Sequence, residues 1–397
     1  MHDLRIVKQY ENKNNLDFTL STNLPTTTAT CKHNHKYNLI NMSGKESRRG
    51  GGRVPGSGKA TGRGHGDRAP GSRKSTGRGI PGSRKATGRG LCGAGSGRGY
   101  TSNALLYFGL SQVGFGEDRR GCSENLNHQR FRSHFTVGPH VIRKLIALMM
   151  SISPGEEINL KYLFMAICWL TLYEKEHVMA GRWGYGEKHC REKVQEYVRW
   201  VAKLKPMLIN FDNLSPKCKF APVDNVHRQV QEMRADPSSK YWSHKFNGPA
   251  IGWEVVTNPT DKGLMLWANG PFPAATHDLT CLRGGKKGKQ SEWKQSSLYN
   301  SMPDGLRLVG DSAYGGQFDK VTCTMDAHSA KTKELFARMK SMQETIFKRF
   351  KDFMVIREAF RHGKNTQDKL DKAAESFDAC AVLIQLDIAN GRPLFDV

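Results

Sequence analysis

Along most of the chain, apolar positions recur first at helical spacing, then at strand spacing, then at helical spacing again. HVIRKLIALMMSI (His140–Ile152) and LKYLFMAICWLTLY (Leu160–Tyr173) are strongly apolar, and SPGEEIN between them supplies a turn and a helix start. Within Glu174–Leu204, the residues Cys190, Val194, Tyr197, Val198, Val201 and Leu204 recur at helical spacing and predict one buried stripe. A short helix, a Gly-Tyr-Gly turn and a second, basic helix over Glu187–Lys203 give the pattern of a helix-turn-helix, the second helix in the recognition position. A helical bundle whose outer face is charged because it is wet gives the same pattern.

After Pro206 the spacing turns to strands: Lys219–Val230, Ala250–Asn258, Gly263–Gly270 and Leu306–Asp311, each bounded by Gly, Pro or Asn. A helix start at His277, a long helix over Ala330–Phe353 and a closing helix over Leu370–Ile388 complete the pattern. Three strands in succession, then a helix, a strand and more helix predict an α/β domain, a mixed sheet flanked by helices with an antiparallel portion. The expected division is a disordered arm over 1–134, a helical domain over 135–212 and an α/β domain over 213–397.

Composition changes the picture mainly at the N-terminal end. Lys45–Arg98 holds fourteen Lys or Arg against two acids, and a unit recurs at Pro55 (PGSGKATGRG), Pro70 (PGSRKSTGRG) and Pro81 (PGSRKATGRG). The unit has no apolar face to bury and its period is irregular, so 45–99 reads as a disordered Gly/Arg-rich arm that neutralises phosphates without reading sequence, or merely solubilises. GSGKAT lacks the spacing and preceding strand of a phosphate-binding P-loop. The whole chain has 61 Lys and Arg against 37 Asp and Glu, a formal charge of +24, which favours a polyanionic partner and nucleic acid first. The longest apolar run, Tyr162–Tyr173, is too short to span a bilayer, and no signal-peptide core opens the chain, so no membrane is expected. Nine cysteines without a CxxC pair suit a reducing compartment. Cys31–His35 (CKHNH) has no second cluster at zinc-finger spacing and reads as a solvated segment.

The candidate chemistry is carboxylate. LRLVGDSAYGG (Leu306–Gly316) runs four strand-like residues into Gly310 and sets Asp311 where the strand should end. A buried carboxylate there would cost desolvation unless something paired with it. Asp224 lies in the first strand and Glu344 in the long helix, so two adjacent strands and a packing helix could bring three acids together. Such a cluster repels itself and wants divalent cations. Two ions clamp the attacking and leaving oxygens of a phosphoryl displacement, and oxygen donors suit Mg²⁺ or Mn²⁺.

Several blocks carry a family resemblance: PVD at Pro222–Asp224, DPSSKYWSHKFNGPAIGWEV from Asp236, WANGPFPAATHDLTCLRGG from Trp267, VGDSAYGG from Val309, QETIFKRFKDF from Gln343, FRHG from Phe360 and NGRPLFDV at the end. From about Phe135 onward the chain resembles a Harbinger-type transposase, a DDE-superfamily endonuclease, over roughly two-thirds of its length; the Gly/Arg arm is not covered. The resemblance implies an RNase H-like catalytic fold behind a helix-turn-helix, with Asp224, Asp311 and Glu344 as the catalytic, metal-holding acids and two Mg²⁺ or Mn²⁺ ions. It implies hydrolysis of a DNA phosphodiester followed by attack of the freed 3′-hydroxyl on target DNA. It also implies a homo-oligomer in the active complex, a separate DNA-binding accessory protein and work in the nucleus. His277-Asp278 matches the family's HD pair, an accessory to catalysis or a helix cap. Lys240, His244 and Lys245 fall in a matching block and are candidate phosphate contacts. Lys188, Arg191, Lys193 and Arg199 on the basic helix, with Lys348 and Arg349 beside Glu344, complete the candidate DNA-binding set. Two departures stand out: Asn225-Val226 follow the first acid where Gly-Thr is usual, and Phe347 replaces an asparagine after the third. A decayed or host-adopted relative that binds nucleic acid without cutting is the alternative.

Overall fold

The computed structural model describes residues 100–120, 123–231, 238–260, 262–285 and 294–394. The Gly/Arg-rich repeats and Cys31–His35 lie outside them. Six helices lead: α1 (Ser102–Gln112), α2 (Glu124–Phe135), α3 (Pro139–Ile152), α4 (Leu160–Leu172), α5 (Glu176–Trp183) and α6 (Glu187–Ala202). The arm expected over 1–134 thus overlaps α1 and α2, and its residues 1–99 lie outside the described residues. α1 escapes periodicity because Tyr107 and Phe108 make the side opposite its buried Leu105, Leu106, Gly109 and Leu110 apolar as well, and α2 because it is polar apart from Leu126, Phe131 and Phe135. A Cβ on Gly109 would lie 2.5 Å from the Phe131 ring and 2.6 Å from that of Phe164, so glycine is what lets α1 lie flat on those rings.

α5 ends at Gly184 in the left-handed conformation, and the Gly184-Tyr185-Gly186 turn leads into α6. The expected stripe of α6 is buried, from Cys190 to Leu204, and packs on α4 and on α9 (Thr366–Ala389).

The sheet is mixed, as expected for an α/β protein. β1 (Phe220–Gln229) is central. It pairs antiparallel with β3 (Gly248–Thr257), whose other edge carries β4 (Met265–Pro273) and the two-residue β2 (Trp242–Ser243). On its other side β1 pairs parallel with β5 (Arg307–Gly310), which pairs parallel with β6 (Val321–Cys323). β6 has only three residues and no pattern to announce it. α7 (Asp278–Arg283) covers one face, with Leu279 and Leu282 against Val223, Val256, Leu308 and Tyr314. The other face takes α8 (Ala330–Lys351) and α9, and there the core is continuous from Leu105 in α1 to Ile388 in α9. The helical and strand segments thus share one core. Among the described residues no single helix is long and apolar enough to cross a membrane.

Two devices hold the helices to the sheet. Trp253 on β3 stacks on Phe377 of α9, ring centroids 4.3 Å apart, and Phe350 of α8 stacks on the same ring at 4.6 Å. Asp387 of α9 is buried yet takes three guanidiniums: Arg132 of α2 at 3.3 Å, Arg349 of α8 at 3.4 Å and Arg392 at 3.3 Å. Three guanidiniums around one carboxylate offset the cost of taking it out of water. Phe377→Ala should remove the shared ring of the stack and lower unfolding free energy by about 3–5 kcal/mol, read from urea melts.

Candidate active-site cleft

β1 and β5 run parallel with Pro222 opposite Val309, so the same register two residues further on sets Asp224, still inside β1, beside Asp311, just past the end of β5. Both follow residues whose side chains face α8, Phe220 and Val309, and so fall on that side of the sheet. Asp224 belongs to a cleft of about 660 Å³, lined also by Asn225, His227, Trp242, His244, Lys245, His277 and Asp278.

Asp224 is largely buried, and burial pushes its carboxyl up to about 6. Its own neighbour opposes this, the Asn225 backbone N–H donating to Oδ1 at 2.7 Å, while the charges of Asp311 and Asp278 add to the rise and Lys245 opposes it. Asp278 is likewise raised by burial, opposed by Asn225 and reinforced by Asp311. The acids that act on one another are therefore Asp224, Asp278 and Asp311. Asp311 itself is exposed, so the desolvation expected at the strand end does not fall on it. It accepts from Ala313 N–H at 2.9 Å and caps the turn Ser312–Tyr314. Gly310 just before it is needed because a Cβ there would lie 2.7 Å from the Tyr314 ring, which folds back beneath the strand end.

Asn225, where the resemblance expects glycine, has a role of its own: its side-chain amide donates to the Asp278 carboxylate and ties β1 to the start of α7. The cap of α7 is His277, whose Nδ1 accepts from Leu279 N–H at 3.3 Å; Asp278 is left to face Asn225 and the cleft. The helix-cap reading of the His277-Asp278 pair thus falls to His277.

Glu344 is exposed on α8. Its neighbour Gln343 is buried and donates to the Val255 carbonyl at 2.8 Å while accepting from Thr257 Oγ1 at 3.0 Å. Phe347 packs against the core between α8 and the sheet.

The candidate DNA contacts divide into two groups. His244 and Lys245 are exposed and line the cleft, and exposed Lys240 places its ammonium 5.0 Å from the Tyr241 ring centre. On α6 the cations meet acids of the chain itself: Arg191 forks onto Glu176, Arg199 bonds Glu375 at 2.7 Å, Lys193 bonds Glu196 at 2.7 Å and Lys188 lies 3.9 Å from Glu192. Lys348 is exposed, but Arg349 turns inward to Asp387 and donates to the Pro393 carbonyl at 2.8 Å, so its part is structural.

Three groups at or behind the cleft were not singled out in the sequence. His227 has an unpartnered, buried Nδ1 and is held below its ordinary pKa, chiefly by burial, with Asp278 pulling the other way. Trp242 stands in the lining, an exposed ring. Glu254, opposite Asn225 on β3, is fully buried, and burial pushes it up to about 8. Trp267 is close enough to oppose that rise, yet neither Glu254 oxygen nor the indole N–H has a partner of regular hydrogen-bond geometry. Glu254 reads as one more position of an alternating strand, which is why periodicity passes over it.

Among the described residues no group of three His, Cys, Asp or Glu side chains is poised to hold a metal. The donor chemistry nevertheless suits Mg²⁺ or Mn²⁺, which bind through one or two carboxylates and keep several waters. The mutual repulsion that lifts Asp224 and Asp278 is what such a cation relieves. No protein-family model, curated protein or solved structure matches the chain.

Because Glu254 binds its proton more tightly folded than unfolded, its contribution to stability is full below its ordinary value of 4.5 and is lost as pH rises toward 8. Glu254→Gln should therefore leave the melting temperature nearly unchanged at pH 4.5 and raise it at pH 8.5, by an amount on the order of a few kcal/mol in stability.

Proposed function

We propose that the chain is a Mg²⁺- or Mn²⁺-dependent DNA endonuclease of the DDE-transposase kind, cutting and joining phosphodiesters. The supporting observation is the parallel pairing of β1 with β5, which sets Asp224, within β1, beside Asp311, just past β5, and their charges against each other. Three antiparallel strands, followed by two added parallel to the first, is also the strand order of an RNase H-like sheet, the fold that the resemblance implies.

In this reading Asp224 and Asp311 present oxygens to the ions, with Asp278 oriented by Asn225 as a further ligand. Bound divalent ions supply a water of lowered pKa and neutralise the charge that develops on the phosphate. Lys245 and His244 hold the DNA backbone beside the acids. His227 lines the same cleft, and burial holds its imidazole below the ordinary pKa, which favours the neutral form. The basic arm and exposed cations add affinity that is independent of sequence and steep in salt.

A second reading, a nucleic-acid binder that does not cut, draws on two observations. Glu344 is exposed, and no three acids stand as a ready metal site among the described residues.

Two measurements separate the readings. Millimolar Mn²⁺ should raise the parent's melting temperature, by about 2.7 kcal/mol in stability at a hundred times the dissociation constant, and Asp311→Ala should lose most of that rise. Asp311→Asn should abolish metal-dependent nicking of plasmid DNA while DNA binding changes little. Equal ion effects on parent and Asp311→Ala, with no nicking by the parent, would leave the binder as the reading.

A further inference from the structure

The chemistry above leaves Trp242 unused. It is a large ring left 43% exposed, in the same cleft as two carboxylates. Its backbone is fixed on both sides. Trp242 pairs with Pro249 on β3, and the Lys240 carbonyl accepts from Ala275 N–H at 3.0 Å. The rest of that wall is small, with Ser239, Ser243, Ala274, Ala275 and Thr276, so nothing bulky fills the space before the ring. His244 and Lys245, the second and third residues after it, bring an imidazole and an ammonium into the same cleft. An aromatic face, a basic pair and an acidic pair thus share about 660 Å³, within the range of ligand-binding clefts.

That order of groups fits one nucleotide unit. A base offers a planar face to the indole, its phosphate lies against Lys245 and His244, and the acids hold the ions of the adjacent phosphodiester. A base inside a duplex has both faces covered by its neighbours and cannot offer one. We infer that Trp242 is a stacking platform for an unpaired nucleobase, and that the substrate strand enters the cleft with a nucleotide out of the stack next to the bond to be cut. The inference rests on the endonuclease reading and narrows its substrate to DNA with an unpaired or extruded base.

The test uses the full chain in EDTA, so that binding is read without cleavage. A duplex carrying 2-aminopurine in an unpaired 3′ overhang is titrated beside a blunt duplex with the same base paired. The parent should bind the overhang more tightly and quench its fluorescence. Trp242→Ala should weaken overhang binding on the order of tenfold or more and abolish the quench, while Trp242→Phe should keep affinity within a few-fold. Neither variant should alter binding of the blunt duplex or the melting temperature. Equal overhang affinity in parent and Trp242→Ala, or a Trp242→Phe as weak as Trp242→Ala, would overturn the platform. Displacement of the overhang by free deoxyadenosine monophosphate at micromolar concentrations would overturn the strand assignment in favour of a free nucleotide. If the parent binds none of these DNAs, the nucleic-acid reading itself fails. If it binds them all without regard to Trp242, only the platform does.

Discussion

The structure depends on β1 having neighbours of opposite sense. Antiparallel pairing with β3 builds a hairpin sheet, which local sequence can form by itself. Parallel pairing with β5 cannot be local; it needs a long crossover, and here β3, β4 and α7 all fall within it. That crossover returns Asp311 to the side of Asp224 and sets α7, with Asp278 at its first turn, across the same strand ends. The acidic cluster is a product of topology, assembled from residues far apart in the chain.

The cluster is costly, and its surroundings manage the cost in different ways. Asp311 stays exposed and gives one oxygen to a backbone cap. Asp278 is held by Asn225. Asp224 remains the strained member, raised by burial and by both neighbours. Behind them Glu254 sits unpaired in the sheet, a group that stays neutral more readily than it ionises. Asp387 shows the opposite solution, a buried carboxylate paired with three arginines that join α2, α8 and the end of α9. One acid site is fully compensated and structural; the other is left under-compensated, as functional sites often are.

Much of this was legible in the residues. The stripe of α6, the long α8 and the closing α9 follow directly from helical spacing, and the four main strands from alternation and bounding glycines. α1 was not legible, because its closest packing is made by Gly109, a residue that periodicity counts as a break. Nor was β6, whose three residues are too few to show an alternation. At the cleft, Asp224 and Asp311 and the repulsion between them could be read in advance, but that Asp278 shares in it could not. Arg349 looked like a surface cation beside Glu344, and its inward turn depends on Asp387, thirty-eight residues further on. Trp242 and His227 were hidden because nothing in their local pattern says that β2, β1 and α7 border one space.

The bonds of Gln343 bear on what its neighbour can do. With its amide shared between the Val255 carbonyl and Thr257 Oγ1, this turn of α8 is locked to β3 in both rotation and height. Glu344 therefore has no helix sliding or rolling at its disposal. Whatever it reaches must lie within the sweep of its own three side-chain torsions about an anchored Cα, and shortening that lever by one methylene shrinks the sphere it can search.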